Sequence, residues 1–351
     1  MTTASGAPGG IRLLIADSSA PARRLLASLC EQDPAIRVIG EAASGAQAAE
    51  LTRRLRPSLV LMADDMLLLD GLEHTTVIMR ETPTPIVVVA SSTSRRHVEA
   101  GLSAMRNGAV MVLPKPSGPP GTPGFIASGQ HLVTTVKAMA GVKVIRRRTD
   151  LSSGGTPTGR QVGLRIVGVA ASTGGPPALL RFLQELDDDL PVPVVAVQHI
   201  VPSFVTRFVS WLGAELAFHV TEAVPGQRLE AGTVYVAGAG CHLEVDRSLR
   251  ARLTLTPPVA GFRPSATVLF SSLARALGPA AAGVVLTGMG SDGLDGLREL
   301  RDAGGRVLAQ DPQSCVVYGM PRAVTDAGLV HTVGTVEQLA RNVSALAKRS
   351  L

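Results

Sequence analysis

The sequence predicts an α/β protein of two domains, each a doubly wound parallel sheet covered by helices. Three observations carry that expectation. Short aliphatic runs alternate with stretches of helical apolar spacing, and strands apolar on both faces belong to parallel sheets buried on both sides. At 351 residues the chain exceeds what one hydrophobic core ordinarily serves. Between Thr149 and Gln161 the composition turns to Ser, Gly, Thr and Pro, the chemistry of a linker.

Residues 11–146 form the first expected domain, 147–162 the linker and 163–349 the second domain. The first opens with strand Ile11–Ala16, helix Pro21–Cys30, strand Val38–Gly40, helix Gly45–Arg56 and strand Leu59–Ala63. A helix within Asp70–Arg80, strand Ile86–Ala90, helix Arg95–Asn107 and strand Val110–Leu113 continue the alternation. Ser128–Ile145 supplies a last helix, with Leu132, Val133, Val136 and Met139 on one side. The second domain begins with strand Arg165–Ala171, helix Pro177–Leu186 and strand Pro193–Gln198. Further strands are expected at Thr233–Ala237, Gly283–Thr287 and Arg306–Ala309.

Composition narrows the function classes. With 45% hydrophobic and 18% charged residues the chain is globular rather than disordered, and its 37 Gly and 24 Pro keep no collagen period. No apolar run approaches the ~18 residues of a membrane span. Met1–Gly10 lacks the basic and apolar regions of a signal peptide, so a cytoplasmic protein is expected. Cys30, Cys241 and Cys315 are too scattered for a disulfide framework and read as small core residues. The histidines His74, His97, His131, His219, His242 and His331 show no metal spacing and receive no role. The net charge is +6, yet two Tyr and one Trp leave little on which to stack bases. An acidic protein partner suits the charge, and neither nucleic acid nor a metal or organic cofactor is expected.

Ligands of open α/β sheets bind beyond the carboxyl ends of the strands. Three strands of the second domain deliver one reactive side chain each there: Ser172, His199 and Asp292. These are the parts of a nucleophile, a general base and its orienter. Serine needs His199 to take its proton, and Asp292 would fix the imidazole tautomer. Gly174 and Gly175 allow a sharp turn into the next helix, whose free N–H groups suit an oxyanion. Each residue also has a plainer reading. Ser172 precedes a helix as an N-cap does, His199 fits a satisfied strand-end histidine, and Asp292 fits a cap for a helix near Leu294. A third reading is dinucleotide binding: Gly288, Gly290 and Gly293 follow a strand in G-x-G-x-x-G spacing, with Asp311 downstream. That motif falls late in its domain, where such fingerprints usually open one.

The segments Gly168-Val-Ala-Ala-Ser-Thr-Gly-Gly175, Gln198-His199, Arg263-Pro264-Ser265, Leu286-Thr-Gly-Met-Gly-Ser-Asp-Gly293 and Ser314-Cys-Val-Val-Tyr-Gly-Met-Pro321 resemble the two-domain CheB chemotaxis methylesterases. The resemblance spans nearly the whole chain. It implies a flavodoxin-type receiver domain followed by a Rossmann-like methylesterase domain. It further implies Ser172, His199 and Asp292 as the catalytic residues, with oxyanion donors at the backbone N–H groups of Thr173 and Met289. The implied reactions are hydrolysis of γ-glutamyl methyl esters on chemoreceptor helices, releasing methanol, and deamidation of receptor glutamines. A histidine kinase or another signalling protein would be the receiver's partner.

The receiver departs from the family pattern. Its acidic pair after the first strand reads Ala16-Asp17, leaving one acid. A gapless alignment between Pro57 and Asp70-Gly71-Leu72 puts Ala63 at the phosphoacceptor position. The hydroxyl residue after the fourth strand becomes Ala90, and only Lys115 remains. Alanine has no oxygen to accept a phosphoryl group, and Asp17 alone is a remnant of a Mg²⁺ site. A one-residue slip would offer Asp64, with Asp65 beside it, but a slip reverses the faces of a strand. A pseudo-receiver is therefore expected. A non-catalytic receptor-docking or scaffold protein, regulated by protein contacts, is the second functional reading.

Overall fold

The computed structural model describes residues 10–67, 72–90, 100–141 apart from 102 and 106, and 163–348. The chain divides into two compact units, Met1–Arg146 and Arg147–Leu351. The expected linker and most of the expected helix Arg95–Asn107 lie outside the described residues.

The first unit holds strands β1 (Ile11–Ala16), β2 (Ile36–Ala42), β3 (Leu59–Ala63), β4 (Ile86–Ala90) and β5 (Met111–Pro114). They form one parallel sheet in the order β2-β1-β3-β4-β5. Every residue of β3 and β4 is buried, which is why both read as unbroken aliphatic runs. Helices Ala20–Cys30 and Gly45–Leu55 start where Ser19 and Ser44 cap them. The second ends at Arg56, which turns left-handed at φ 48°. The last helix runs Pro123–Ala140 rather than Ser128–Ile145, because Thr122 caps it and Pro123 suits its first turn.

The second unit contains β6 (Ile166–Ala171), β7 (Val194–Gln198), β8 (His219–Glu222), β9 (Thr233–Val236), β10 (His242–Val245), β11 (Ala251–Thr254), β12 (Ala281–Val285), β13 (Arg306–Gln310) and β14 (Thr332–Gly334). Seven of them make a parallel sheet in the order β14-β13-β12-β6-β7-β9-β8, and β10–β11 is an antiparallel hairpin. Strand β12 stops at Val285, short of the expected Thr287, because Thr287 N–H is taken by the Gln310 side chain instead of the ladder. The helix after β6 is Gly175–Gln184, not Pro177–Leu186; Gly174, at φ 72°, makes the turn and two prolines fill the first helical turn.

One packing detail positions the chemistry. Gly168 and Gly283 are register partners on β6 and β12. A Cβ on either would stand 3.2 Å from the ring of Phe270. Their bareness lets fully buried Phe270 settle on the sheet, drawing helix Ala266–Leu277 down with it. The N-terminus of that helix reaches the carboxyl edge beside β12. The chain turns back across the sheet at β6, so the crevice between β6 and β12 is the switch point where such folds bind ligands.

Candidate active site

Ser172 and His199 each lie one residue past a strand, and the ladder makes them neighbours. Ala171 pairs with Gln198, and His199 N–H donates to Ala171 O at 2.9 Å. The two residues therefore leave adjacent strands at matching positions, one strand spacing apart. On the other flank Ser172 N–H donates to Thr287 O at 3.1 Å. Ser172 is 7% exposed and packs over Gly288, where a Cβ would lie 2.8 Å from Ser172 Cβ. Only a residue without a side chain fits beneath the serine.

Asp292 is 5% exposed and its carboxylate receives four donors. Oδ1 accepts from Ser265 Oγ at 2.7 Å and Thr267 N–H at 3.1 Å. Oδ2 accepts from Ala266 N–H at 2.7 Å and lies 2.9 Å from His199 Nε2. Burial alone would raise the carboxyl pKa. Hydrogen bonds from His199 and Ser265, the imidazole's charge and the Ala266 N–H outweigh that and hold it at about 2. An ionised carboxylate only accepts, so His199 Nε2 carries the proton. Nδ1 is then the basic atom; it is buried and has no hydrogen-bond partner among the described residues. The ring of Phe262 stacks on His199 with centroids 4.0 Å apart and planes 8° from parallel.

The cap readings of Ser172 and Asp292 do not hold. Gly174 caps helix Gly175–Gln184, and Ser172 contributes only its carbonyl, accepting from Gly175 N–H. Gly293, not Asp292, caps helix Leu294–Asp302. Asp311, the acid of the dinucleotide reading, is occupied in its own turn with Gln313 N–H, Ser314 N–H and Ser314 Oγ.

Backbone donors surround the serine. The N–H groups of Thr173 and Met289 donate no hydrogen bond among the described residues. Thr287 Oγ1 donates to Thr173 O at 2.9 Å and accepts from Val317 N–H at 2.8 Å, fixing the turn that carries Thr173. Gln198 Nε2 donates to the carbonyls of Ser172 at 2.9 Å and His199 at 3.0 Å, tying the two strand ends together from the opposite face. Sequence reading quoted Gln198 and Ser265 within motifs but gave them no role. Phe262, which a loop brings in, carries no signal in the sequence, and His242, at the start of β10, shows no spacing that would give it a role.

At the carboxyl edge of the first unit, Lys115 Nζ lies 2.5 Å from Asp17 Oδ2, and Asp17 is fully buried. Ala16 pairs with Met62, so the next position of β3, Ala63, stands beside Asp17. Asp64 follows, fully buried, in a single helical turn. Asp65 accepts from Ser18 Oγ at 2.5 Å.

Two doubly wound α/β units, one with Ser172, His199 and Asp292 gathered near its switch point, define a two-domain α/β protein. Family models for CheB methylesterase and for the response regulator receiver domain match residues 167–343 and 13–121. The chain belongs to the CheB methylesterase family. Among its relatives is protein-glutamate methylesterase/protein-glutamine glutaminase 4 of Myxococcus xanthus, 47% identical, covering 95% of this chain and 96% of that protein. A second, enzyme 3 of the same description from Anaeromyxobacter dehalogenans, is 43% identical over 97% of this chain and 100% of its own length. The crystal structure of the Thermotoga maritima CheB methylesterase catalytic domain matches 53% of this chain and 100% of its own, with 30% identity and a TM-score of 0.51. Among the described residues no helix is long and apolar enough to cross a membrane.

Proposed function

We propose that this protein hydrolyses γ-glutamyl methyl esters on chemoreceptor helices, and deamidates receptor glutamines, by acyl transfer through Ser172, His199 and Asp292. The observation that carries this reading is the His199 ring, bonded through Nε2 to Asp292, unpaired at Nδ1 among the described residues, and one ladder spacing along the sheet edge from Ser172. Ser172 Oγ attacks the side-chain carbonyl while His199 Nδ1 takes its proton. The resulting imidazolium is held by the Asp292 charge through Nε2–H, and the oxyanion by Thr173 and Met289 N–H. The imidazolium returns its proton to the departing methanol, or to ammonia from an amide. Water then attacks the acyl-serine with the same base and releases the glutamate carboxylate.

The receiver is a pseudo-receiver. Its register supports Ala63 at the acceptor position beside Asp17, while Asp64 is sealed from solvent and Lys115 is engaged by Asp17. A contact with a histidine kinase or another signalling protein then regulates it in place of a phosphoryl group.

Methanol release from methylated receptor by the full-length protein tests the catalytic reading. Ser172→Ala loses release while keeping its unfolding transition. Undiminished release by that variant removes Ser172 from the mechanism.

A further inference from the structure

His242 begins β10 and is fully buried, away from the reacting atoms, yet both ring nitrogens point at the loop that frames the site. Nδ1 accepts from Ser265 N–H at 3.1 Å, and Nε2 lies 3.2 Å from Pro257 O. An amide only donates and a carbonyl only accepts. The ring is therefore neutral with its proton on Nε2. One side chain thus ties the two ends of the segment between Pro257 and Ser265.

That segment is itself a tight hairpin. Val259 and Phe262 exchange backbone hydrogen bonds of 3.1 and 2.9 Å around Ala260 and Gly261, which sit at φ 50° and 85°. Arg263 Nη1 donates across it to the carbonyls of Leu255 and Thr256, each at 3.3 Å. The hairpin touches the catalytic groups twice: Phe262 stacks on His199 and Ser265 Oγ donates to Asp292. Ser265 stands at the N-cap of helix Ala266–Leu277 but makes no side-chain cap bond. Its hydroxyl goes to Asp292, whose carboxylate receives the first N–H groups of the helix instead.

We infer that His242 is a positioning residue of this active site, bracing the 257–265 hairpin so that Ser265 and Phe262 hold Asp292 and His199 in line. The inference rests on the esterase reading for its kinetic consequence, but not for its structural one. Without an acceptor at the Nδ1 position Ser265 N–H is orphaned, and the helix start that delivers three of the four Asp292 donors shifts.

The experiment uses the full-length protein and two variants. His242→Leu is apolar and of similar size, whereas His242→Asn places Oδ1 near the Nδ1 position. Methanol release from methylated receptor gives kcat and KM. Proton NMR gives the far-downfield resonance of His199 Nε2–H bonded to Asp292. His242→Leu is expected to lower kcat about 10–100-fold, as small misplacements of catalytic groups do, with little change in KM and loss of the resonance. His242→Asn is expected to recover most of both. Ser172→Ala loses kcat but keeps the resonance, which separates lost chemistry from lost alignment. A Leu variant with wild-type kcat and resonance overturns the inference. So does a folded Asn variant that lacks both, which also decides the matter if the Leu variant fails to fold. If the wild type releases no methanol the esterase reading fails. Loss of the resonance in His242→Leu, and its return in Asn, would still establish the brace; its persistence in Leu would refute it.

Discussion

Replacing Asp292 by Asn keeps the shape and removes the charge, which makes it the sharpest probe of the site. The carboxylate now serves four donors, two on each oxygen. An amide offers one oxygen, so its NH₂ must face two of them. Turned toward His199, that NH₂ donates to Nε2 and drives the ring proton to Nδ1, where it blocks proton transfer from Ser172. Turned toward Thr267 it opposes a backbone N–H. In either pose the imidazolium loses its counter-charge, and the loss of kcat is expected to be on the order of 10⁴-fold. Stability carries a second signature. The Asp292 carboxyl sits at about 2, below its unfolded value, so its ionised form stabilises the fold. The shift corresponds to roughly 2 kcal/mol at neutral pH. That contribution is present above about pH 4 and is lost as the pH falls through about 2. Methanol release and urea unfolding, each followed from neutral to acidic pH, measure the two effects. A variant retaining kcat within about tenfold of wild type would refute the proposed role of the charge.

Other consequences are equally direct. Gly288→Ala puts a methyl 2.8 Å from Ser172 Cβ, so it should cost about 1–3 kcal/mol by overpacking and lower kcat more than KM changes; melting temperature and steady-state kinetics report both. The wild-type receiver should gain no mass on incubation with a small phosphodonor and Mg²⁺, whereas the double variant Ala16→Asp, Ala63→Asp should gain one phosphoryl group. A phosphorylated wild type would end the pseudo-receiver proposal. Burial, with the charges of Arg306 and Arg301, holds His331 below the usual imidazole value while its Nδ1 accepts from Val307 N–H. The unfolded chain therefore binds more protons as pH drops below about 6.5, and stability should fall with it. Urea midpoints for wild type and His331→Asn should converge on acidification.

Legibility followed burial. Strands β1, β3 and β4 read at their observed limits: β3 and β4 are uninterrupted aliphatic runs, and β1 is broken only by the exposed Arg12 near its start. The hairpin β10–β11, the edge strand β8 and the three-residue β14 escaped notice. They are three or four residues long and mix polar with apolar positions, so no period rises above the background. Within the site the same division holds. Ser172 and His199 are legible as candidates because the strands they follow are predictable, whereas Asp292 lies in a loop beyond the end of β12 at Val285. Gln198, Phe262, Ser265 and His242 act through carbonyls, amides and a ring face, contacts that no residue spacing encodes.

The register that joins Ser172 to His199 has a consequence for how the family's loops can change. The proposed nucleophile and base leave neighbouring strands one ladder spacing apart, a length that every peptide pair of β6 and β7 enforces together. Insertions in the surrounding loops leave that ruler untouched. Asp292 has no such ruler, since it lies in a loop beyond β12 and depends on partners gathered from residues 265–267. Drift in this enzyme should therefore be tolerated around the serine and histidine sooner than around the aspartate, where alignment must be kept by contacts rather than by the sheet.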